Sequence, residues 1–550
     1  MHFDILITGG TVIDGTGKKG VRADVGIKGR TVAAIGDLSG SSPSSRSSGS
    51  SGGATSADIE QATADRVIDA RGLTVSPGFI DVHAHSDGAL LIDGQHANGI
   101  RQGITTEIIA PDGITYPPLP PAKYKAHRQY LSGILGLPPE DLDMSSMEAA
   151  RKNYHHKTSC NVAAFLGHGP VRMNIMGMAD QPMRGKDMDR AKALVRENMA
   201  QGVAGFATGL SYYPQSYSDS LELVELCKVV KEFDLPLSIH TRDHNTERAF
   251  LGGGINEALE LGRKSGVKIH IEHYRTSAAT AGQVEKILEP IEKAKRDGVD
   301  VTLETYPYPV GSSFPPAFYP GSWQEGGASA ILKRLADPRL KKQYITDLEK
   351  RPMRGTMAGN LWTWIGSEKN KHLEGMAWDE VAKERGVSVT EMVWDVMLEE
   401  GLTCGFRGVP PASTRLWRQV EADVMTLLAR PDYMIGSDAI PIGGLPHPRA
   451  YGCFPRVVGR LRRRLGYPLE QVVQRVTQNP ADRFGLKRRG VLKKGNFADI
   501  VVFDAEKITD RSSFEDPKVH PEGIPFVIVN GKVAVDHERV TGVLAGEAVP

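Results

Sequence analysis

Pro77-Gly78-Phe79-Ile80-Asp81-Val82-His83-Ala84-His85 is a short apolar run that ends in two histidines one residue apart. Side chains alternate between the faces of a strand, so His83 and His85 point the same way and can share one cation. Alone, such a pair also suits two structural histidines; its place after an apolar strand and before Ser86-Asp87 favours chemistry. Seven further apolar runs follow, at 105–109, 161–166, 202–206, 235–240, 268–273, 300–306 and 433–437. Amphipathic stretches such as 220–233 and 283–296 separate them. Eight strands alternating with helices predict a parallel sheet closed into an α/β, (β/α)8 TIM-like barrel.

The ends of the chain read differently. Asp4-Ile5-Leu6-Ile7-Thr8-Gly9-Gly10, Asp24-Val25-Gly26-Ile27, Val32-Ala33-Ala34-Ile35 and Arg66-Val67-Ile68-Asp69-Ala70 are short β-type segments. Similar ones return in Ala498-Asp499-Ile500-Val501-Val502-Phe503 and Phe526-Val527-Ile528-Val529. Residues 1–75 with 485–550 are therefore expected to build one small β-sandwich module, and 76–484 the barrel. The stretch 39–56 is almost entirely Ser and Gly, too poor in apolar groups to offset its ordering entropy, and predicts a flexible insertion. The interval of about 310–430 before the last strand exceeds one helix and predicts a lid-like insertion over the barrel mouth.

Composition narrows the function. The 550 residues are 40% hydrophobic and 24% charged, and Lys+Arg 67 against Asp+Glu 66 leaves a formal charge of +1. Without a global positive field, neither nucleic acid nor an anionic membrane is an expected partner. No apolar run approaches the roughly 20 residues of a membrane span, and Met1-His2-Phe3-Asp4 does not open a signal peptide, so a cytoplasmic location is expected. The four cysteines, Cys160, Cys227, Cys404 and Cys453, lack the spacing of a disulfide framework or zinc ribbon.

Catalytic groups of such barrels gather at the C-terminal ends of the strands. There the fifth run gives Ser238-Ile239-His240, the sixth His270-Ile271-Glu272-His273 and the eighth Ile435-Gly436-Ser437-Asp438. His240 and His273 can supply nitrogen ligands, and Asp438 suits both a metal ligand and a general base. His168, His244, His270 and His447 read as hydrogen-bonded supports.

Several motifs together resemble the amidohydrolase superfamily and, within it, the N-acyl-D-amino-acid deacylases, over nearly the full length. They include Phe3-Asp4-Ile5-Leu6-Ile7, the pair His83 and His85, Gly103-Ile104-Thr105-Thr106, Gly167-His168-Gly169, Thr208-Gly209-Leu210, Tyr306-Pro307-Tyr308, Gly436-Ser437-Asp438, His447-Pro448-Arg449 and Gly495-Asn496-Phe497-Ala498-Asp499-Ile500-Val501.

The resemblance implies a zinc hydrolase acting on a linear amide. One firmly held ion would use His240, His273 and a residue after the second strand that is cysteine in the family; here that position falls on Asp112. A carboxylate still suits zinc, makes harder ions such as manganese more competitive, and can bridge two ions. Asp112-Gly113 is also an ordinary turn pair. His83, His85 and Asp438 match a second, weaker metal position. The fourth run, Gly205-Phe206-Ala207-Thr208-Gly209, lacks the carbamylated lysine of the hydantoinase and dihydroorotase branch.

The same resemblance implies that Asp438 takes a proton from water and returns it to the departing amine, with His168 or Tyr306 as candidate aids to the oxyanion. It implies that Arg449 binds the carboxylate of a small N-acyl amino acid, helped by Arg275 at a lysine position and by Tyr306 and Ser312. The expected products are a D-amino acid and a carboxylic acid. Cyclic-amide, carbamate or ester hydrolysis on the same barrel, or a non-catalytic scaffold, are the alternatives; oligomeric state is not encoded legibly.

Overall fold

The computed structural model describes residues 1–38, 62–350 and 357–550, so the Ser/Gly insertion expected at 39–56 lies outside the described residues. Eight parallel strands pair in sequence order: Phe79–Ala84, Ile104–Ile109, Asn161–Gly167, Gly205–Gly209, Pro236–His240, Lys268–Ile271, Val301–Thr305 and Tyr433–Ile435. The eighth returns to the first through a bridge between Ala84 and Ala439 and a 2.7 Å bond from the Asp438 amide to the His83 carbonyl. The result is a (β/α)8 barrel. Helices cover the outside and side chains fill the inside, so residues of both strand faces are buried and the runs read as nearly continuous apolar segments.

Three strands depart from the sequence reading by two residues or more at an end, each for a local reason. The fourth strand starts at Gly205 rather than 202 because Gly202, at φ 91°, turns the chain after helix Gly185–Ala200. The sixth stops at Ile271 because His273 adopts φ 35° and leaves the ladder. The eighth stops at Ile435; two residues later the Ser437 amide donates to Asp81 Oδ1 at 2.8 Å.

The two ends of the chain share one nine-stranded sheet. In it, Thr74–Pro77 pairs parallel with His2–Val12 on one side and antiparallel with Ile500–Phe503 on the other. Alternation divides the C-terminal strand cleanly. Ile500 and Val502 join Ile5, Ile7, Val25 and Val75 in the sandwich core, whereas Val501 and Phe503 join the barrel cluster, with Phe503 6.0 Å from Phe79. The sheet is thus a small β-sandwich module fixed to the barrel by one strand's two faces. Beyond it, the chain end runs back to the third barrel strand, where Val162 donates to Glu547 and Val549 to Val162.

Between the seventh and eighth barrel strands the chain builds a three-stranded antiparallel sheet from Ser312–Ser313, Leu361–Ile365 and Cys404–Arg407. Helices including Gly327–Leu335 and Val389–Glu399 accompany it. A second core, centred on Trp323, Trp362, Trp378 and Trp394, holds this segment together. That core also takes in Tyr124, Tyr130 and Ile134 from the connection after the second barrel strand.

Candidate metal centre

Four imidazoles and two carboxylates converge at the C-terminal ends of the barrel strands. His83 Nε2 lies 3.4 Å from His85 Nε2 and 3.5 Å from Asp438 Oδ1, and His85 Nε2 lies 3.4 Å from Asp438 Oδ1. Ligand atoms about 2.0–2.1 Å from a tetrahedral ion stand about 3.3–3.4 Å apart, so this triad has the dimensions of a cation site. A second triad joins His83, Asp112 and His273. Asp112 reaches both groups: Oδ2 is 3.5 Å from His85, while Oδ1 is 3.5 Å from His240 Nδ1, 3.9 Å from His273 and 4.0 Å from His83.

Orphaned atoms support the fit. His240 Nδ1 and Asp112 Oδ1, which face the cluster, are buried with no hydrogen-bond partner among the described residues. Burial pushes the Asp112 carboxyl up, but the His240 imidazole and its neighbours outweigh this and hold it well below the usual carboxylate range. Burial likewise pushes Asp438 up and is overcome by the Arg449 guanidinium and the histidines. Two ionised carboxylates among imidazoles can hold one or two divalent ions, zinc or a harder one.

The backbone is bent to present these groups. Asp112, His273 and Asp438 have φ 58°, 35° and 52°, the left-handed region that non-glycine residues enter at a cost and that recurs at functional sites. Gly436 permits the close approach of the last strand, since a Cβ there would sit 2.4 Å from Glu304 Oε2 and 2.5 Å from His83 Cβ.

Sequence reasoning missed the carboxylates behind the cluster. Glu304 Oε1 accepts from His83 Nδ1 at 2.9 Å and from the His273 amide at 2.6 Å. The first bond places the ring proton on Nδ1 and leaves the Nε2 lone pair facing the centre. Glu272 accepts from the Asp112 amide and Ser238, and burial raises its pKa well above the ordinary value. Asp81 accepts from the His83 and Ser437 amides, and burial, with Glu107 nearby, lifts it to about 7. The signal was slight: Asp81 and Glu304 lie inside barrel strands and Glu272 one residue beyond one. Glu304→Gln is expected to weaken divalent-metal binding by about 10–100-fold, measured by competition with a chromophoric chelator; unchanged affinity would remove Glu304 from this role.

Arg449, Arg275, Tyr306 and Ser312 also meet. Arg449 Nη2 donates to Ser312 Oγ at 3.0 Å, and Nη1 lies 2.7 Å from Asp438 Oδ2. The guanidinium carbons of Arg275 and Arg449 stand 4.3 and 4.8 Å from the Tyr306 ring centroid. Arg449 is fully buried, yet its Nε has no hydrogen-bond partner among the described residues. His447 Nδ1 accepts from the Arg449 amide at 3.0 Å and fixes the start of helix Arg449–Pro455.

His168 corrects one expectation. Its Nδ1 bonds Thr208 Oγ1 at 2.9 Å and its Nε2 bonds Glu222 at 3.0 Å, while Glu222 also pairs with the buried Arg172. Both ring nitrogens are engaged, so His168 is a support and not an oxyanion donor. His270 is held by Thr302 at 2.9 Å, and His244 is 41% exposed beside Asp243.

The barrel and its histidine–carboxylate cluster define the class of metal-binding (β/α)8 proteins. An amidohydrolase family model matches residues 66–201 and 379–535. The D-aminoacylase of Alcaligenes xylosoxydans xylosoxydans is 30% identical over 563 residues, covering 100% of this chain and 97% of its own. The N-acyl-D-glutamate deacylase of the same organism is 30% identical over 530 residues, covering 96% and 93%. Among solved structures, the N-acyl-D-glutamate deacylase of Bordetella bronchiseptica superimposes with a TM-score of 0.78 at 27% identity, over 100% of both chains. That structure contains zinc and a phosphonate inhibitor that mimics the tetrahedral intermediate. A D-aminoacylase studied for its binuclear metal centre gives a TM-score of 0.76 at 30% identity, over 100% of this chain and 99% of its own. This chain belongs to the amidohydrolase family, in the D-aminoacylase group.

Proposed function

We propose that the protein is a metal-dependent amide hydrolase that converts N-acyl-D-amino acids into a D-amino acid and a carboxylic acid. The observation that carries the reading is the 2.7 Å approach of Arg449 to Asp438. It sets a buried guanidinium suited to a carboxylate directly beside an acid suited to carry a proton. The D-aminoacylases and D-glutamate deacylase to which the chain is similar support the substrate class and its stereochemistry.

His83, His85, Asp112, His240, His273 and Asp438 would hold the metal, and Asp112 in place of the family's cysteine admits harder ions beside zinc. A cation bound there supplies Lewis-acid polarisation of the carbonyl and lowers the pKa of water. Asp438 takes one proton from the attacking water and delivers it to the amine nitrogen as the C–N bond breaks. Arg449 and Arg275, with Tyr306 and Ser312, hold the free carboxylate of the substrate and so fix the scissile amide against Asp438. The segment of about 310–430 acts as a lid that contributes Ser312. We place the protein in the cytoplasm, since its four cysteines are buried and unpaired, as suits a reducing compartment. Among the described residues no helix is long and apolar enough to cross a membrane.

The test is chelation followed by re-addition of metal. Hydrolysis of N-acetyl-D-amino acids is expected to vanish in the stripped protein and return with zinc, cobalt or manganese. Full activity in protein shown to be metal-free would overturn the reading.

A further inference from the structure

A second cavity, of about 280 Å³, opens between helices Pro121–Tyr130 and Gly327–Leu335, and none of the candidate site residues lines it. Small residues leave the space: Ala122 and Ala126 on one helix, Gly327 and Ala328 on the other. Met173, Met178 and the Tyr130 ring supply soft, polarisable walls. An apolar cavity of about 150 Å³ already takes a benzene ring, so this one has room for a fused bicyclic molecule.

The wall is not wholly apolar. His127 is 2% exposed, lines the cavity and stacks on Tyr130 at 5.9 Å; its Nδ1 is enclosed, with no hydrogen-bond partner among the described residues, so Nε2 is the ring nitrogen left for a ligand. Burial alone drives its pKa down to about 3, so the ring is neutral at physiological pH and carries one N–H and one free lone pair. A ring nitrogen without a protein partner can be satisfied by a hydrogen-bonding group of a ligand. Two other polar groups of the wall are already occupied. Lys123 Nζ donates to the Met173 and Asn174 carbonyls at 3.0 and 2.6 Å, and Tyr130 donates to Gln324.

We propose that this cavity binds a compact, uncharged aromatic molecule with one hydrogen-bonding group, its ring among Met173, Met178 and Tyr130 and its polar group on His127. The site is separate from the catalytic cluster. Tyr130 packs 5.6 Å from Phe314, Phe314 6.1 Å from Tyr212, and Tyr212 5.2 Å from His240. Two aromatic rings, Phe314 and Tyr212, thus stand between Tyr130 and His240, and the inference holds whichever amide the catalytic site hydrolyses.

Indole is the probe, titrated calorimetrically into the full-length protein and into three variants. The wild type is expected to bind it saturably below about 1 mM. Ala126→Leu, which fills the cavity from an exposed helix position, is expected to weaken binding at least about tenfold, and Ala122→Leu, one turn earlier, does the same should the first variant fold poorly. His127→Phe keeps the ring but removes the polar atoms and is expected to weaken binding roughly 2–10-fold. Absence of saturable binding up to about 1 mM, or equal binding by the folded cavity-filling variants, would overturn the proposal.

Discussion

Asp438→Asn is expected to lower kcat by about 10²–10⁴-fold, the usual contribution of a positioned proton carrier, while leaving fold and most of the bound metal in place. The asparagine keeps an oxygen toward His83 and His85, now 3.5 and 3.4 Å away, but cannot accept and return a proton. Its amide can still close the barrel on the His83 carbonyl, because that bond uses only the backbone. Steady-state kinetics, metal analysis and the melting temperature, taken together, separate the roles. Loss of rate with retained metal and an unchanged melting temperature assigns the proton to Asp438. A substantial remaining rate, or a loss matched by loss of metal, would assign it elsewhere.

Arg449→Ala is expected to act mainly on substrate capture. Truncating one partner of a buried charge pair costs about 2–5 kcal/mol, or roughly 30- to several-thousand-fold in kcat/KM. The effect should appear as a raised KM for carboxylate-bearing substrates and be much smaller for an N-acyl amine that lacks the carboxylate. Arg449 also touches Asp438 at 2.7 Å and helps to hold that carboxyl below its usual range. Its removal therefore lets the Asp438 pKa rise, and the acid limb of the pH profile should move to higher pH. An unchanged kcat/KM for N-acyl amino acids would contradict carboxylate capture by this residue.

The barrel was legible because its strands are buried on both faces and end in ionisable residues. Phe79-Ile80 before His83, and Tyr433-Met434-Ile435 before Asp438, announce strand and site in one stretch. Strand ends were less legible, because Gly202, His273 and Ser437 leave the ladder for reasons set by tertiary contacts. The small sheet between the seventh and eighth barrel strands escaped notice since Ser312–Ser313 is only two residues long and Leu361–Ile365 carries two tryptophans without clean alternation. In the site, the histidines and Asp438 were visible and the carboxylates behind them were not. Glu304 looks like one of three polar residues in Val301–Thr305 until its carboxylate is found against His83. His168, read both as a hydrogen-bonded support and as a candidate oxyanion aid, has both nitrogens committed to Thr208 and Glu222, which leaves the support role.

Asp112 falls where the family resemblance places a cysteine. A carboxylate offers two oxygens where a thiolate offers one sulfur, and here the two face opposite halves of the cluster. A metal held there would depend less on softness, with both halves of the cluster sharing one anionic residue.

The central claim is stereospecific deacylation at this cluster, and the most direct measurement is the turnover of paired N-acetyl-D- and N-acetyl-L-amino acids by protein of known metal content. Release of acetate and free amino acid from the D-enantiomers, with little from the L-enantiomers, is the predicted result. Equal rates on both, or no release by fully metal-loaded protein, would contradict it.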